Sequence, residues 1–196
     1  MSQSEDHSTD KGTWFMVAIL LLVAVPGSYW YGTQVTAVTQ PKPTSQVVQL
    51  DIIPDWGGNT VDAFVLSSAL NGTGPTPDNT IIVTANVPVT FIITSLDSAV
   101  NQNFTGVVSQ PFTLYNDTDN GQVAVQYVKG ESISKMPVGH SFTVPGLDIN
   151  IPNPPNTIVS FTYTFTKPGT YTYLCTIPCG TGMNKIGYMT GSIIVQ

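Results

Sequence analysis

The sequence predicts an all-β protein, a two-sheet β-sandwich, preceded by one membrane-spanning helix. Three observations carry this. After about residue 46 the apolar residues fall in short runs separated by Gly, Pro and Asn clusters, the pattern of a sandwich rather than of helices. Within that region SFTYTFT alternates strictly, with Phe161, Tyr163 and Phe165 on one side and Ser160, Thr162, Thr164 and Thr166 on the other. Ahead of it, WFMVAILLLVAV, from Trp14 to Val25, is unbroken apolar sequence, with no charge between Lys11 and Lys42.

Taken in order, residues 1–12 are an acidic leader and residues 13–32 the anchor. With Ser28 to Tyr31 added, the uncharged apolar stretch reaches the roughly 20 residues that cross a bilayer as a helix. Trp14 at one end and Tyr29, Trp30 and Tyr31 at the other suit the two membrane interfaces. A cleaved signal peptide is the alternative, with Val35-Thr-Ala37 as its cleavage site. Either way, the chain beyond this segment is exported, and the retained anchor predicts a single-pass protein of the cell membrane with its C-terminal domain outside. Residues 33–46 read as a polar, proline-bearing linker.

The domain then spans residues 47–196. Its expected strands are Val47 to Ile53, Val61 to Leu66, Thr80 to Ala85, Val87 to Ser95, Val123 to Val128, Ser141 to Val144, Ile158 to Thr166, Thr170 to Cys175 and Thr190 to Val195. Residues 97–138, polar and rich in Asn, Gly and Pro, read as an insertion at the rim with one weak strand. After Lys167-Pro-Gly169 turns the chain, TYTYLC places Tyr171, Tyr173 and Cys175 on one face and leaves Cys175 where a strand gives way to a loop.

Composition narrows the function. Charged residues are 9% of 196, and six Lys plus Arg against twelve Asp plus Glu give a net charge of -6. That balance offers no footprint for a phosphate backbone, so nucleic acid is not an expected partner. Sparse carboxylates also suit an acidic external medium, because few groups lose favourable interactions on protonation. Sequons at Asn71, Asn103 and Asn116 fit an exported surface. No phosphate-binding loop, nucleophile elbow, zinc signature or CxxCH haem motif is present.

The chemistry gathers in the closing segment, YLCTIPCGTGMNKIGYMTGSIIVQ. It holds both cysteines of the chain, Cys175 and Cys179, followed by Met183 and Met189. In an exported protein two cysteines can form a disulfide. They can equally be soft ligands, because thiolate and thioether sulfurs joined by an imidazole select copper. His7 lies in the leader, which leaves His140, in VGHSFTVPG, as the available imidazole. On its own, a histidine beside a strand is more often a satisfied core or surface residue than a ligand.

HSFTVPGLDINI, FTYTFTKPGTYTYLC, CTIPCGTGM and MTGSIIV, in that order, resemble the copper domain of subunit II of haem-copper terminal oxidases. The resemblance covers Thr80 to Gln196 with the insertion set aside, and the single anchor resembles the one-helix members of that family. It implies a cupredoxin-like Greek-key β-sandwich. It also implies that His140 is the first imidazole ligand, that Cys175 and Cys179 are the bridging thiolates, and that Met189 is the weak axial thioether. The sequence departs from the family at the second histidine, where Gly182-Met183 stands in place of glycine-histidine and about three further residues are added. Met183 is therefore a candidate replacement ligand. The loop is also similar, up to its proline, to the mononuclear blue-copper loop.

The function implied is that of a membrane-anchored oxidase subunit II, a subunit rather than the catalytic chain. It would relay or gate electron entry from a small redox protein or quinol to subunit I, through an altered or degenerate copper site of undetermined stoichiometry. A membrane-tethered mononuclear copper carrier similar to sulfocyanin or rusticyanin is the alternative, and a metal-free structural domain is the third.

Overall fold

The computed structural model describes residues 44–56, 61–69, 79–118, 121–180, 183, 185 and 187–196. The leader, the anchor and most of the linker lie outside these, and among the described residues no helix is long and apolar enough to cross a membrane. Pro43–Gln196 forms one compact unit.

Among the described residues its regular elements are β-strands and one short 3-10 turn, Ser67–Ala69. Its strands are β1 (Gln46–Ile53), β2 (Ala63–Leu66), β3 (Thr80–Val83), β4 (Pro88–Ser95), β5 (Gln102–Val107), β6 (Phe112–Thr118), β7 (Gly121–Tyr127), β8 (Ser132–Val138), β9 (His140–Val144), β10 (Ile149–Asn153), β11 (Thr157–Thr164), β12 (Gly169–Leu174) and β13 (Thr190–Val195). One sheet runs β2-β1-β4-β11-β6-β7 and the other β10-β9-β12-β13-β3, while β5 and β8 pair separately. The β1–β4 and β13–β3 pairs are parallel and the rest antiparallel. The all-β sandwich read from the sequence is the architecture observed.

The alternation of the sequence dictates which faces meet. Along β4, Val89, Phe91 and Ile93 point inward, and along β11 Val159 and Phe161 do the same. Across β4 and β11, Phe91 and Phe161 are register partners whose rings stack with centroids 4.8 Å apart. From the facing sheet Phe142 of β9 meets Phe91 at 5.6 Å and Phe161 at 5.7 Å, and stacks on Tyr173 of β12 at 4.8 Å. Burying such rings removes large apolar areas from water, and their offset and edge contacts add about 0.5–1.5 kcal/mol per pair. This aromatic column joins the two sheets directly beneath the end where the candidate ligands lie.

The structure corrects the reading of residues 97–138 as holding a single weak strand. The interval contains β5, β6, β7 and β8, and β6 pairs with β11 from Thr157↔Asn116 to Ser160↔Thr113, extending the first sheet. β10 was likewise not expected. Both β8 and β10 carry a proline, Pro137 and Pro152. β10 is the edge of its sheet and β8 belongs to a two-stranded ribbon, positions where a missing N–H is tolerated.

Candidate metal centre

One end of the sandwich receives every candidate ligand, because strand polarity brings the right termini together. His140 is the first residue of β9, paired with Asn153 of β10. Leu174, the last residue of β12, pairs with Thr143 of β9 and with Thr190 of β13. Cys175 therefore leaves its strand beside the start of β9, and Met189 lies just ahead of β13.

Backbone and hydroxyl hydrogen bonds hold this junction. The Cys175 N–H donates to Met189 O at 3.0 Å. The Thr176 N–H donates to Ser141 Oγ at 2.9 Å, and the Ser141 and Thr176 hydroxyls are 3.0 Å apart. Farther along, Phe64 N–H donates to Tyr188 O at 3.0 Å and Asn79 Nδ2 to Thr190 O at 3.0 Å. The loop is thereby tied to β2 of the opposite sheet. Lys185 Nζ sits 4.4 Å from the centroid of the Tyr188 ring, a cation–π contact on the outside of the loop.

Inside it, a nitrogen of His140 and the Sγ atoms of Cys175 and Cys179 lie within 4.8 Å of one another, and all three residues are buried. The cysteines are free thiols, and Cys179 Sγ donates to Cys175 Sγ at 2.7 Å. Met189 is fully buried in the main apolar core, of which the two cysteines are also part, and Met183, half-buried, packs against that core. The structure thus brings His140, Cys175 and Cys179 together, with Met189 in the same core and Met183 against it.

The structure adds two carboxylates that the sequence reading did not include. His140 Nε2 is 2.8 Å from Asp97 Oδ2 and 4.0 Å from Asp62 Oδ2. Asp97 follows the end of β4 and Asp62 precedes β2, so both come from the end of the other sheet. The signal available in sequence was their setting: Val61-Asp62-Ala63-Phe64 and Ser95-Leu96-Asp97 put acidic residues among apolar ones in a chain with 9% charged residues. Nothing in linear spacing connects them to His140.

The electrostatics follow from this packing. The hydrogen bond from Cys179 pulls the Cys175 thiol down to about 5, against burial and with help from His140 and the backbone at Ser141 and Ile177. The same bond and burial push Cys179 up. Burial opposes the charged form of His140, yet its interactions with Cys175 and Asp97 outweigh that and raise the ring above its usual value. Burial raises Asp62, only partly offset by His140. The centre therefore favours one thiolate and one thiol.

Two chemistries use a cysteine, a histidine and an aspartate in line. A nucleophile needs its sulfur open to substrate, and Cys175 is only 1% exposed. A metal centre needs buried, convergent donors with a lone pair free to give. His140 Nδ1 is buried and makes no hydrogen bond. A buried imidazole with a nitrogen free of hydrogen bonds, within 4.8 Å of two buried thiols, fits a soft metal such as copper.

No protein-family model matches the sequence, and no curated protein sequence matches it either. Among solved structures, the chain is similar to a haem-copper terminal oxidase dimer determined by cryo-EM, at 18% identity and a TM-score of 0.41 over 95% of this chain and 99% of that one. It is similar to the periplasmic domain of subunit II of cytochrome oxidase from Bradyrhizobium japonicum, at 14% identity and a TM-score of 0.39 over 80% and 88%. Rusticyanin from Thiobacillus ferrooxidans gives 16% identity and a TM-score of 0.36 over 79% of each chain. The fold assignment stands on the strand order and register described above.

Proposed function

We propose that this chain is a membrane-anchored, exported cupredoxin-type electron-transfer protein, subunit II of a haem-copper terminal oxidase, with an altered copper site. The observation that carries the reading is the convergence of a His140 ring nitrogen and the free thiols of Cys175 and Cys179 at one end of a β-sandwich, with Nδ1 buried and not hydrogen-bonded. The ordered resemblance of the four sequence blocks supports the family, and the apolar run at Trp14 to Val25 supports the anchor.

His140, Cys175 and Cys179 would hold the copper, with Met183 and Met189 as the thioethers. Bound there, copper supplies a one-electron couple, and a sulfur-rich set favours its cuprous state. The chain's own residues do the rest. Cys175 would enter as thiolate, and Cys179 would release its proton to become the second thiolate ligand. The hydroxyl bridge from Ser141 to Thr176 holds β9 against the cysteine loop, which limits ligand movement between redox states. Phe142 and Tyr173, each two residues from a proposed ligand along its strand, are fully buried and stacked on one another.

With one imidazole in the converged set, the donors serve a single copper, and the dinuclear arrangement implied by the family lacks its second terminal nitrogen. Solubilising native membranes and isolating the intact chain tests the assignment. Co-isolation of a haem-bearing subunit I with copper in this chain is expected. Isolation of this chain alone, with copper, would instead favour the tethered carrier.

A further inference from the structure

We propose that Asp97 is the positioning residue that fixes His140, accepting the Nε2 proton so that Nδ1 is the nitrogen turned to the thiols. The inference rests on the copper reading only for its consequence on affinity, since the orientation itself belongs to the metal-free protein.

Four observations lead to it. Nε2 is 2.8 Å from Asp97 Oδ2, whereas Nδ1 is buried with no hydrogen bond. The carboxylate is itself held, because its Oδ1 accepts the Ala99 N–H at 2.9 Å and the Asp97 carbonyl accepts the Asn156 N–H at 3.0 Å. The segment that carries it is sewn to the strand before His140. Asn101 N–H donates to Val138 O at 2.9 Å, and Asn101 Nδ2 donates to Gly139 O at 2.7 Å. Finally, Asp62 is too far from Nε2 to share the proton, at 4.0 Å.

A neutral imidazole has one N–H and one lone pair, and the acceptor opposite one nitrogen decides which is which. A buried carboxylate at Nε2 places the proton there and leaves the lone pair on Nδ1. It also stiffens the ring and makes Nδ1 a stronger donor, the role outer-shell carboxylates play behind histidine ligands, whose loss costs about 10–100-fold in metal affinity. Asp97 and His140 sit on opposite sides of residues 98–139, so the strands β5 to β8 are looped out between two residues that act together.

The test uses the full chain in detergent, labelled with 15N-histidine, with long-range proton–nitrogen spectra taken metal-free and with Cu(I), and with Cu(I) affinity measured by competition. The wild type is expected to show a slowly exchanging proton on His140 Nε2 in both states. Asp97→Ala should lose that proton signal to fast exchange and bind Cu(I) about 10–100-fold more weakly. In Asp97→Asn the amide oxygen still accepts the proton, so affinity should recover in large part while the proton signal moves upfield as the bond loses its charge assistance. Asp62→Asn should leave the Nε2 proton in place.

If Asp97→Ala does not fold, Asp97→Asn decides, and an unchanged Nε2 proton shift in it overturns the proposal. So does an Asp97→Ala protein with wild-type proton exchange and affinity. A wild type that keeps the Nε2 proton but binds no Cu(I) sinks the copper reading and leaves the role of Asp97 standing.

Discussion

A Cβ placed on Gly139 would lie 2.6 Å from the carbonyl oxygen of Ala99. The residue before the candidate ligand is thus a glycine because the Asp97 segment packs directly on its backbone. Gly139→Ala must push that segment away, an overpacking cost of about 1–3 kcal/mol. We expect a lower melting temperature together with weakened metal binding, because the displaced segment carries the acceptor of the His140 proton. Thermal unfolding and Cu(I) competition on the same variant check both, and a destabilised protein with unaltered affinity would separate Asp97 from the site.

Gly191 meets Tyr173 in the same way. The two are register partners on β13 and β12, and a Cβ on Gly191 would collide with the Tyr173 ring and its hydroxyl and lie 2.6 Å from Asn79 O. Tyr173 donates to that same carbonyl at 2.7 Å. Gly191→Ala should therefore break a buried hydrogen bond as well as crowd the core, costing on the order of 2–4 kcal/mol. Chemical denaturation measures it, and a loss below about 1 kcal/mol would mean the strand relaxes around the methyl group.

The Ser141 hydroxyl accepts the Thr176 N–H at 2.9 Å, one residue beyond Cys175. Ser141→Ala removes that acceptor and leaves a part-buried N–H without it, at a cost of about 1–3 kcal/mol. Because the bond also holds the thiolate loop against β9, the metal-bound spectrum should shift while stoichiometry is preserved. Unchanged absorption in a copper-loaded Ser141→Ala protein would show that the loop is set elsewhere.

The uneven legibility of the sequence has physical causes. SFTYTFT announced β11 because its apolar face is mostly buried, with Phe161 and, just past the strand, Phe165 inward, Tyr163 half-buried between them, and Thr162 and Thr164 exposed. The segment GQVAVQY is exposed along nearly all of β7, and QNFTGV along β5, so neither carries a strong period-two signal. SISKMPV and INIPN were masked by Pro137 and Pro152, which read as breaks unless the strand is known to lie at an edge. At the site, the sulfur ligands and His140 were readable because they stand in recognisable blocks. Asp97 was not, because its link to His140 spans strands β5 to β8 and exists only in three dimensions.

Met183 offers a test of descent at the metal loop. It stands after glycine where the resembled family has histidine, and it packs half-buried against the cluster containing both cysteines. Met183→His combined with deletion of residues 184–186 should restore a second nitrogen donor and permit two coppers, whereas the point change alone should gain little because ligand sites tolerate small displacements only. Electron paramagnetic resonance distinguishes a mixed-valence pair, with seven lines, from a single copper, with four. A folded double variant that stays at one copper would refute the alignment at this residue.

In the proposed function, His140, Cys175 and Cys179 hold one copper. The most direct measurement is the copper-to-protein ratio of the full chain isolated from copper-replete membranes, taken alongside His140→Ala and Cys175→Ser. One copper per chain is expected in the wild type and near-complete loss in both variants, with melting behaviour retained closely enough to show a folded domain. A wild type that is folded with free thiols and no copper, or a copper content indifferent to His140→Ala, would contradict it.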